Sequence, residues 1–258
     1  MPTLPLSVVL AGLSLILLPL YNCRVKDNFK ITAPAATLTE MLRASRWATQ
    51  LTPHELARAL SGVSERRVGV GGFVCHKGES VDCWYGVIEG LVKLSSDWVT
   101  GKTATLTGVP PGGWFGEGSM LKSEPRRFDV IALRDSRMAC MNRETFHWLV
   151  ANSIGFNRFL VTQLNERLGL FIGLLESERL LDVDARIARS LTALFHPVLH
   201  PGGNNHLAIS QEEIGLLAGV SRQRINRGLK ALEDSGFLTV EYGGITILDL
   251  DGLRRFGG

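Results

Sequence analysis

The residues with the plainest chemical use are Arg222, Gln223, Arg224, Asn226, Arg227 and Lys230, which share one face of a helix expected to start after Ser221. In a major groove, Arg and Gln make paired hydrogen bonds to base edges, while Lys and Arg hold phosphates. The opposite face, Ile225, Leu229 and Leu232, is apolar at helical spacing and would be buried. Ahead of it, Ser210 can cap a helix whose first turn carries Gln211, Glu212 and Glu213, where the helix dipole favours acids. Gly219 supplies the left-handed turn between the two helices. A basic helical face is more often merely solvated. Here the acidic first helix, glycine turn, serine cap and basic second helix coincide, which favours a helix-turn-helix. Ser210, Gln211 and Ser221 are counted with its DNA-facing set. Two β-rich runs, Phe237–Val240 and Ile245–Leu248, flank a turn at Tyr242-Gly243-Gly244 and give the hairpin of a wing.

Other chemistries find little support. No nucleophile, acid/base pair or metal set stands out, so an enzyme is not expected. The net charge is only +3, which concentrates basicity locally instead of spreading it over a polycationic tail. Cys23, Cys75, Cys83 and Cys140 are far apart with no CxxC spacing, which suits a reducing compartment and argues against a zinc or iron–sulfur site. Cys75, His76 and Cys83 could supply ligands, but incidental packing explains them more simply.

The 258 residues allow two domains, and 45% hydrophobic residues supply cores for both. Met1 to Cys23 carries no charge, and Leu4–Leu20 is almost continuously apolar. A signal peptide would want a basic start, and a membrane span would want ~20 apolar residues. The favoured explanation is a start nearer Met41, leaving residues 1–40 as an extension and the protein cytoplasmic, away from membranes. Thr52 and Pro53 open a short helix. From Val68 to Met141 the runs Phe73–Cys75, Trp84–Ile88, Leu91–Leu94, Ala104–Val109, Phe128–Leu133 and Ser136–Cys140 alternate with glycine turns, as in a small sandwich or barrel. Helical spacing resumes at Arg143. Leu160, Leu164, Leu168, Phe171 and Leu175 step by four, four, three and four, a narrow seam suited to packing against its own copy.

Together these elements resemble the Crp/Fnr family of bacterial transcription regulators over about residues 50–250. LLDVDARIARSL (180–191) is similar to the family's hinge and following helix, and GVSRQRINRGLKALEDSGFL (219–238) to its recognition helix and wing entry; Gly78, Gly90 and Gly116 fall at its turns. The resemblance implies an α+β fold: an N-terminal double-stranded β-roll of the cyclic-nucleotide-binding kind (41–150), a long dimerisation helix (151–181) and a C-terminal winged helix-turn-helix (182–258). It implies double-stranded DNA and a second copy as partners, with RNA polymerase as a further partner of an activator. It matches Arg222, Gln223 and Arg227 to base-reading positions. A cyclic-nucleotide-binding module acting elsewhere than on DNA is the alternative.

By the same resemblance, FGEGSMLKSEPRRFDVIAL (115–133) stands where the family holds an effector phosphate, giving Gly116, Glu117, Gly118, Ser119, Arg126 and Arg127 as candidates. The glycines admit a close backbone, a short helix from Ser119 offers free N–H groups, and Arg127 could pair a phosphate. Cyclic-nucleotide binders follow that arginine with Ser or Thr and then usually Ala. Here Phe128 and Asp129 follow, and Phe171 and Ile172 stand where cyclic-AMP-responsive members present hydroxyls. No cofactor is therefore expected, cyclic AMP is disfavoured with any other small effector left open, and Arg127 should be tied to Glu117 or Asp129 inside the roll or serve a different acidic effector. Cys23 alone cannot form the cysteine cluster of the family's oxygen sensors, and His54, His76 and His147 are too scattered for haem.

Overall fold

The computed structural model describes residues 37–97, 103–201 and 205–257. The expectations for the apolar segment and Cys23 lie outside them. The described chain opens with α1 (Leu38–Ala44), capped by Thr37 in a reciprocal box with Glu40. Its Met41 and Leu42 are buried in the first core, so the expected boundary at residue 40 is corrected: it would cut a packed helix and remove its cap. The helix α2 (Pro53–Ser61) has Thr52 as its cap and proline at its first turn.

The strands β1 (Val63–Val68), β2 (Phe73–Cys75), β3 (Cys83–Glu89), β4 (Val92–Asp97), β5 (Thr103–Val109), β6 (Trp114–Phe115), β7 (Asp129–Ala132) and β8 (Ser136–Asn142) build two antiparallel sheets. Their orders are β1-β8-β3-β6 and β2-β7-β4-β5, with the short helix α3 (Glu117–Lys122) between β6 and β7. Val74, Val87, Val92, Phe115, Val130 and Met138 fill the space between the sheets. A second cluster lies against the helices: Trp47, Trp84, Trp114, Phe146 and Phe156 pack mostly edge to face, with Trp47 and Trp114 at 89°. The roll is therefore held on both sides of one sheet.

Next, α4 (Arg143–Asn152), capped by Asn142, leads into the 27-residue α5 (Ile154–Leu180), capped by Ser153. At 1.5 Å per residue α5 runs about 40 Å. Its first third buries Phe156, Phe159, Leu160 and Gln163 against the roll. From Val161 onward it carries Val161, Leu164, Leu168, Phe171, Ile172 and Leu175 exposed along one stripe on its other side. The expected seam is thus corrected at its N-terminal end. Leu160 belongs to the protomer's own core, 3% exposed, because it lies on the same helix face as Phe156 and Gln163. Val161 opens the exposed stripe in its place.

The last unit contains α6 (Val183–Leu194), β9 (His206–Leu207), α7 (Gln211–Ala218), α8 (Arg222–Asp234), β10 (Leu238–Glu241), β11 (Gly244–Ile247) and α9 (Leu250–Arg255). The strands form one sheet ordered β10-β11-β9. Ile187, Leu191, Ile214, Ile225, Leu229 and Leu232 form its core, joined by Leu91 and Leu133 from turns of the roll. Arg134 adds an ion pair to Glu213 at the start of α7.

His200, in the loop after α6, is fully enclosed, and its Nδ1 lies 3.0 Å from the Ala193 carbonyl, which accepts a hydrogen bond from the neutral ring. Burial first, and the nearby Arg167 second, push its pKa down to about 3. The unfolded chain therefore binds a proton that the folded chain refuses between its ordinary value near 6.5 and about 3. Stability is expected to fall as pH drops through that window, by up to about 1.4 kcal/mol per pH unit from this group. Denaturant melts of His200→Asn against the parent should show the difference shrinking toward acid pH. A parallel fall in both proteins would assign the acid sensitivity elsewhere.

Candidate nucleic-acid interface and effector cassette

The interface is built by caps and a turn. Ser210 accepts a hydrogen bond from the Glu213 amide while Glu213 accepts one from the Ser210 amide, fixing the entry to α7. Gly219 ends α7 at φ +64°, a conformation a side chain would strain. Ser221 then caps α8 through the Arg224 amide. Both serine hydroxyls accept these amide hydrogens, which leaves each O–H able to donate. Ile225, Leu229 and Leu232 seat α8 in the core.

That seating turns Arg222, Gln223, Asn226, Arg227 and Lys230 outward, all exposed on one face. Gln211 is half-buried beside them at the start of α7. Arg224 behaves differently from expectation: it is half-buried, and its Nη1 lies 2.6 Å from Asp184 on α6. The cause is helix geometry, since Arg224 sits on the α6 side of α8. It fastens α8 instead of facing solvent. Beyond α8, Tyr242 stands fully exposed at the tip of the β10–β11 hairpin.

In the roll, Gly116 takes φ +94° and caps α3, which begins at Glu117 and not at Ser119 as expected. A Cβ on Gly116 would come within 2.4 Å of Arg126 Nη1, so glycine is needed twice over, for φ and for room. Arg126 is 5% exposed. It donates through Nη2 to the Cys83 carbonyl and lies 5.0 Å from the centre of the Tyr85 ring, while its Nε is buried with no partner among the described residues. Arg127 faces outward and pairs with Glu124 at 2.7 Å.

The expectation that Arg127 is the inward arginine is therefore corrected. It is not tied to Glu117 or Asp129. Glu124, three residues before it on the same loop, is its nearer acid, while Asp129 accepts from the Lys77 amide at 2.8 Å. Glu117, 2% exposed, is held by Arg167 of α5 at 3.0 Å, and its Oε2 is buried without a partner. Arg167 also donates to the Trp114 carbonyl at 2.8 Å. Sequence reasoning missed Arg167 and Gln163; the signal was present, because both are polar residues on the roll-facing side of α5 one turn apart. Gly118 has open space around it, and Ser119 donates to the Pro125 carbonyl at 3.4 Å. The cassette thus brings together Gly116, Glu117 and Arg126, with Arg127 outside.

An unpartnered guanidinium nitrogen and an unpartnered carboxylate oxygen, both buried, are costly unless something completes them.

Comparison with known proteins finds a family model for each of the two regions. Residues 65–153 match the family model of the cyclic nucleotide-binding domain, and residues 185–256 match that of the Crp-like helix-turn-helix domain. The chain is 30% identical over 167 residues to the cAMP-activated global transcriptional regulator CRP of Haemophilus influenzae, covering 63% of this chain and 74% of that protein. It is 28% identical over 200 residues to the cyclic AMP receptor protein of Thermus thermophilus, covering 76% and 89%. Among solved structures, the c-di-GMP responsive global regulator CLP of Xanthomonas campestris aligns at TM-score 0.55 with 25% identity over 76% of this chain and 99% of that one. FixK2 of Bradyrhizobium japonicum shares the fold at TM-score 0.64 and 17% identity, over 76% and 98%.

Proposed function

The chain belongs to the Crp/Fnr family of bacterial transcription regulators, and from that membership we propose that it reads a pseudo-palindromic DNA site as a homodimer through α8. The observation that carries this is the exposed polar face of α8, held at a fixed angle by caps at Ser210 and Ser221. Arg222, Gln223 and Arg227 contact base edges; Asn226 and Lys230 flank them. Each alanine substitution at the first three should cost ~1–3 kcal/mol on the cognate site and relax preference at one base pair. Gel shifts on cognate and random DNA check this, and equal losses on both would reassign those residues to phosphates. The second copy packs along Leu164, Leu168, Phe171 and Leu175, with Val161 added. If the protein activates transcription, RNA polymerase is a further partner. Such regulators work in the cytoplasm; among the described residues no helix is long and apolar enough to cross a membrane.

The effector in this proposal is a small acidic molecule other than cyclic AMP. With Arg126 the inward arginine, the next two residues are Arg127 and Phe128, neither of them the small hydroxyl-and-alanine pair that cyclic-nucleotide binders use. The hydroxyl-to-phosphate bond that such a pair supplies is worth about 1.5–3 kcal/mol. Phe171 and Ile172 add no hydroxyl from α5. Binding of cyclic AMP should therefore be weaker by about one to two orders of magnitude than where that bond is made. Calorimetry decides: micromolar binding of cyclic AMP would overturn this part of the proposal.

A further inference from the structure

Three of the chain's cysteines lie in the roll: Cys75 on β2, Cys83 at the start of β3 and Cys140 on β8. Strands β3 and β8 pair antiparallel, with Cys83 opposite Asn142 and Tyr85 opposite Cys140. Side chains two apart on a strand share a face. Cys83 and Cys140 are thus diagonal neighbours on one face, and the Cys140 thiol donates to the Met138 carbonyl at 3.9 Å. Tyr85, on the same face of β3, lines a polar cavity of about 520 Å³ together with Arg66, Cys75, His76, Glu79 and Asp82. Cys83, between the lining residues Asp82 and Tyr85 in sequence, is half-buried, whereas Cys75 and Cys140 are buried. We propose that Cys83 and Cys140 form an oxidisable thiol pair, in which a peroxide attacks at Cys83 and Cys140 closes the disulfide.

The surroundings separate the three thiols. Interaction with the Cys140 thiol, with help from Arg126 and against burial and Asp82, brings the Cys83 pKa down to about 7. Burial pushes Cys75 up to about 11, despite Arg126 and Arg66 and with Glu79 and Asp129 adding to the rise. Interaction with the Cys83 thiol and burial raise Cys140. Since the thiolate is the nucleophile and a peroxide must reach it, Cys83, the only half-buried thiol of the three, reacts first. Its sulfur attacks one peroxide oxygen, the O–O bond breaks, hydroxide leaves with the electron pair, and a sulfenic acid remains. Cys140 then loses its proton and attacks that sulfur; the S–O bond breaks, water departs, and an S–S bond forms. Two thiols give up two electrons and two protons, and the peroxide becomes two waters.

Diagonal positions on paired strands lie about 7–8 Å apart at the backbone, beyond the roughly 4.4–6.8 Å that a disulfide spans, so closure must draw β3 and β8 together. A bridge closed under strain is readily reduced, which suits a reversible switch. The Cys83 carbonyl is also what Arg126 binds, so closing the pair disturbs the arginine of the cassette.

The test uses the full chain carrying Cys23→Ser. After reduction, alkylation by iodoacetamide at pH 7, followed by peptide mass mapping, should label Cys83 about 100-fold faster than Cys75 or more. After treatment with hydrogen peroxide, a Cys83–Cys140 cross-linked peptide should appear, vanish with dithiothreitol, and persist in Cys75→Ser. Equal labelling of Cys75 and Cys83 in the folded protein, or peroxide treatment that leaves the two thiols unlinked, overturns the proposal. Neither readout depends on a Cys83 or Cys140 variant folding.

Discussion

Leu168→Glu is expected to split the dimer and, with it, to abolish tight binding to the operator. In the single chain Leu168 is 59% exposed, in the middle of a stripe running from Val161 to Leu175. Exposed leucines are ordinary one at a time, but a continuous stripe along a long helix needs a partner. In a symmetric pair each Leu168 faces the same region of the other copy. A glutamate there places two like charges in an apolar seam, each costing several kcal/mol if it stays ionised. Self-association should weaken by about a thousandfold or more. A monomer also engages one half-site at a time, losing the gain of simultaneous contact, which is ~10²-fold or more for linked sites. Light scattering and gel shifts on the same samples report both losses. A parent protein that is monomeric at micromolar concentration with full DNA affinity would contradict this account.

Arg167→Leu should be the most destabilising change that leaves the apolar cores intact. It strands the Glu117 carboxylate, 2% exposed, and leaves the Trp114 carbonyl with only the longer hydrogen bond from Gln163 at 3.4 Å. Removing one member of a buried pair costs about 3–5 kcal/mol, or a fall in Tm of roughly 10 °C for a protein of this size. The double variant Arg167→Leu with Glu117→Leu removes the orphan as well and should recover much of the loss. Because this pair joins α3 of the cassette to the dimer helix, the single variant should also alter operator affinity. Single and double variants of equal stability would show that the pair does not couple the two elements.

How far the sequence could be read depended on how local each cause is. The caps at Ser210 and Ser221, the turn at Gly219 and the apolar side of α8 act within a few residues, and all were legible. The alternating strands were legible where one face is buried. VSERRV (63–68) was not, because four of its six side chains are exposed and only Val68 is buried. Arg126 and Arg127 are adjacent and identical in type. Only the fold shows which faces Gly116 and which faces Glu124. Leu160 fits the seam by spacing, yet the start of α5 lies against the roll, and that packing claims it for the core. Arg224 fits the polar face by type, yet α6 brings Asp184 to it. Each correction comes from a partner distant in sequence.

The most direct test of the central claim is selection of binding sites from random duplex DNA by the purified full-length chain. The account predicts enrichment of two inverted half-sites centred about 34 Å apart, with Arg227→Ala relaxing one symmetric position in each. Enrichment of no motif, or of a single unpaired half-site by a protein proven dimeric, would contradict it.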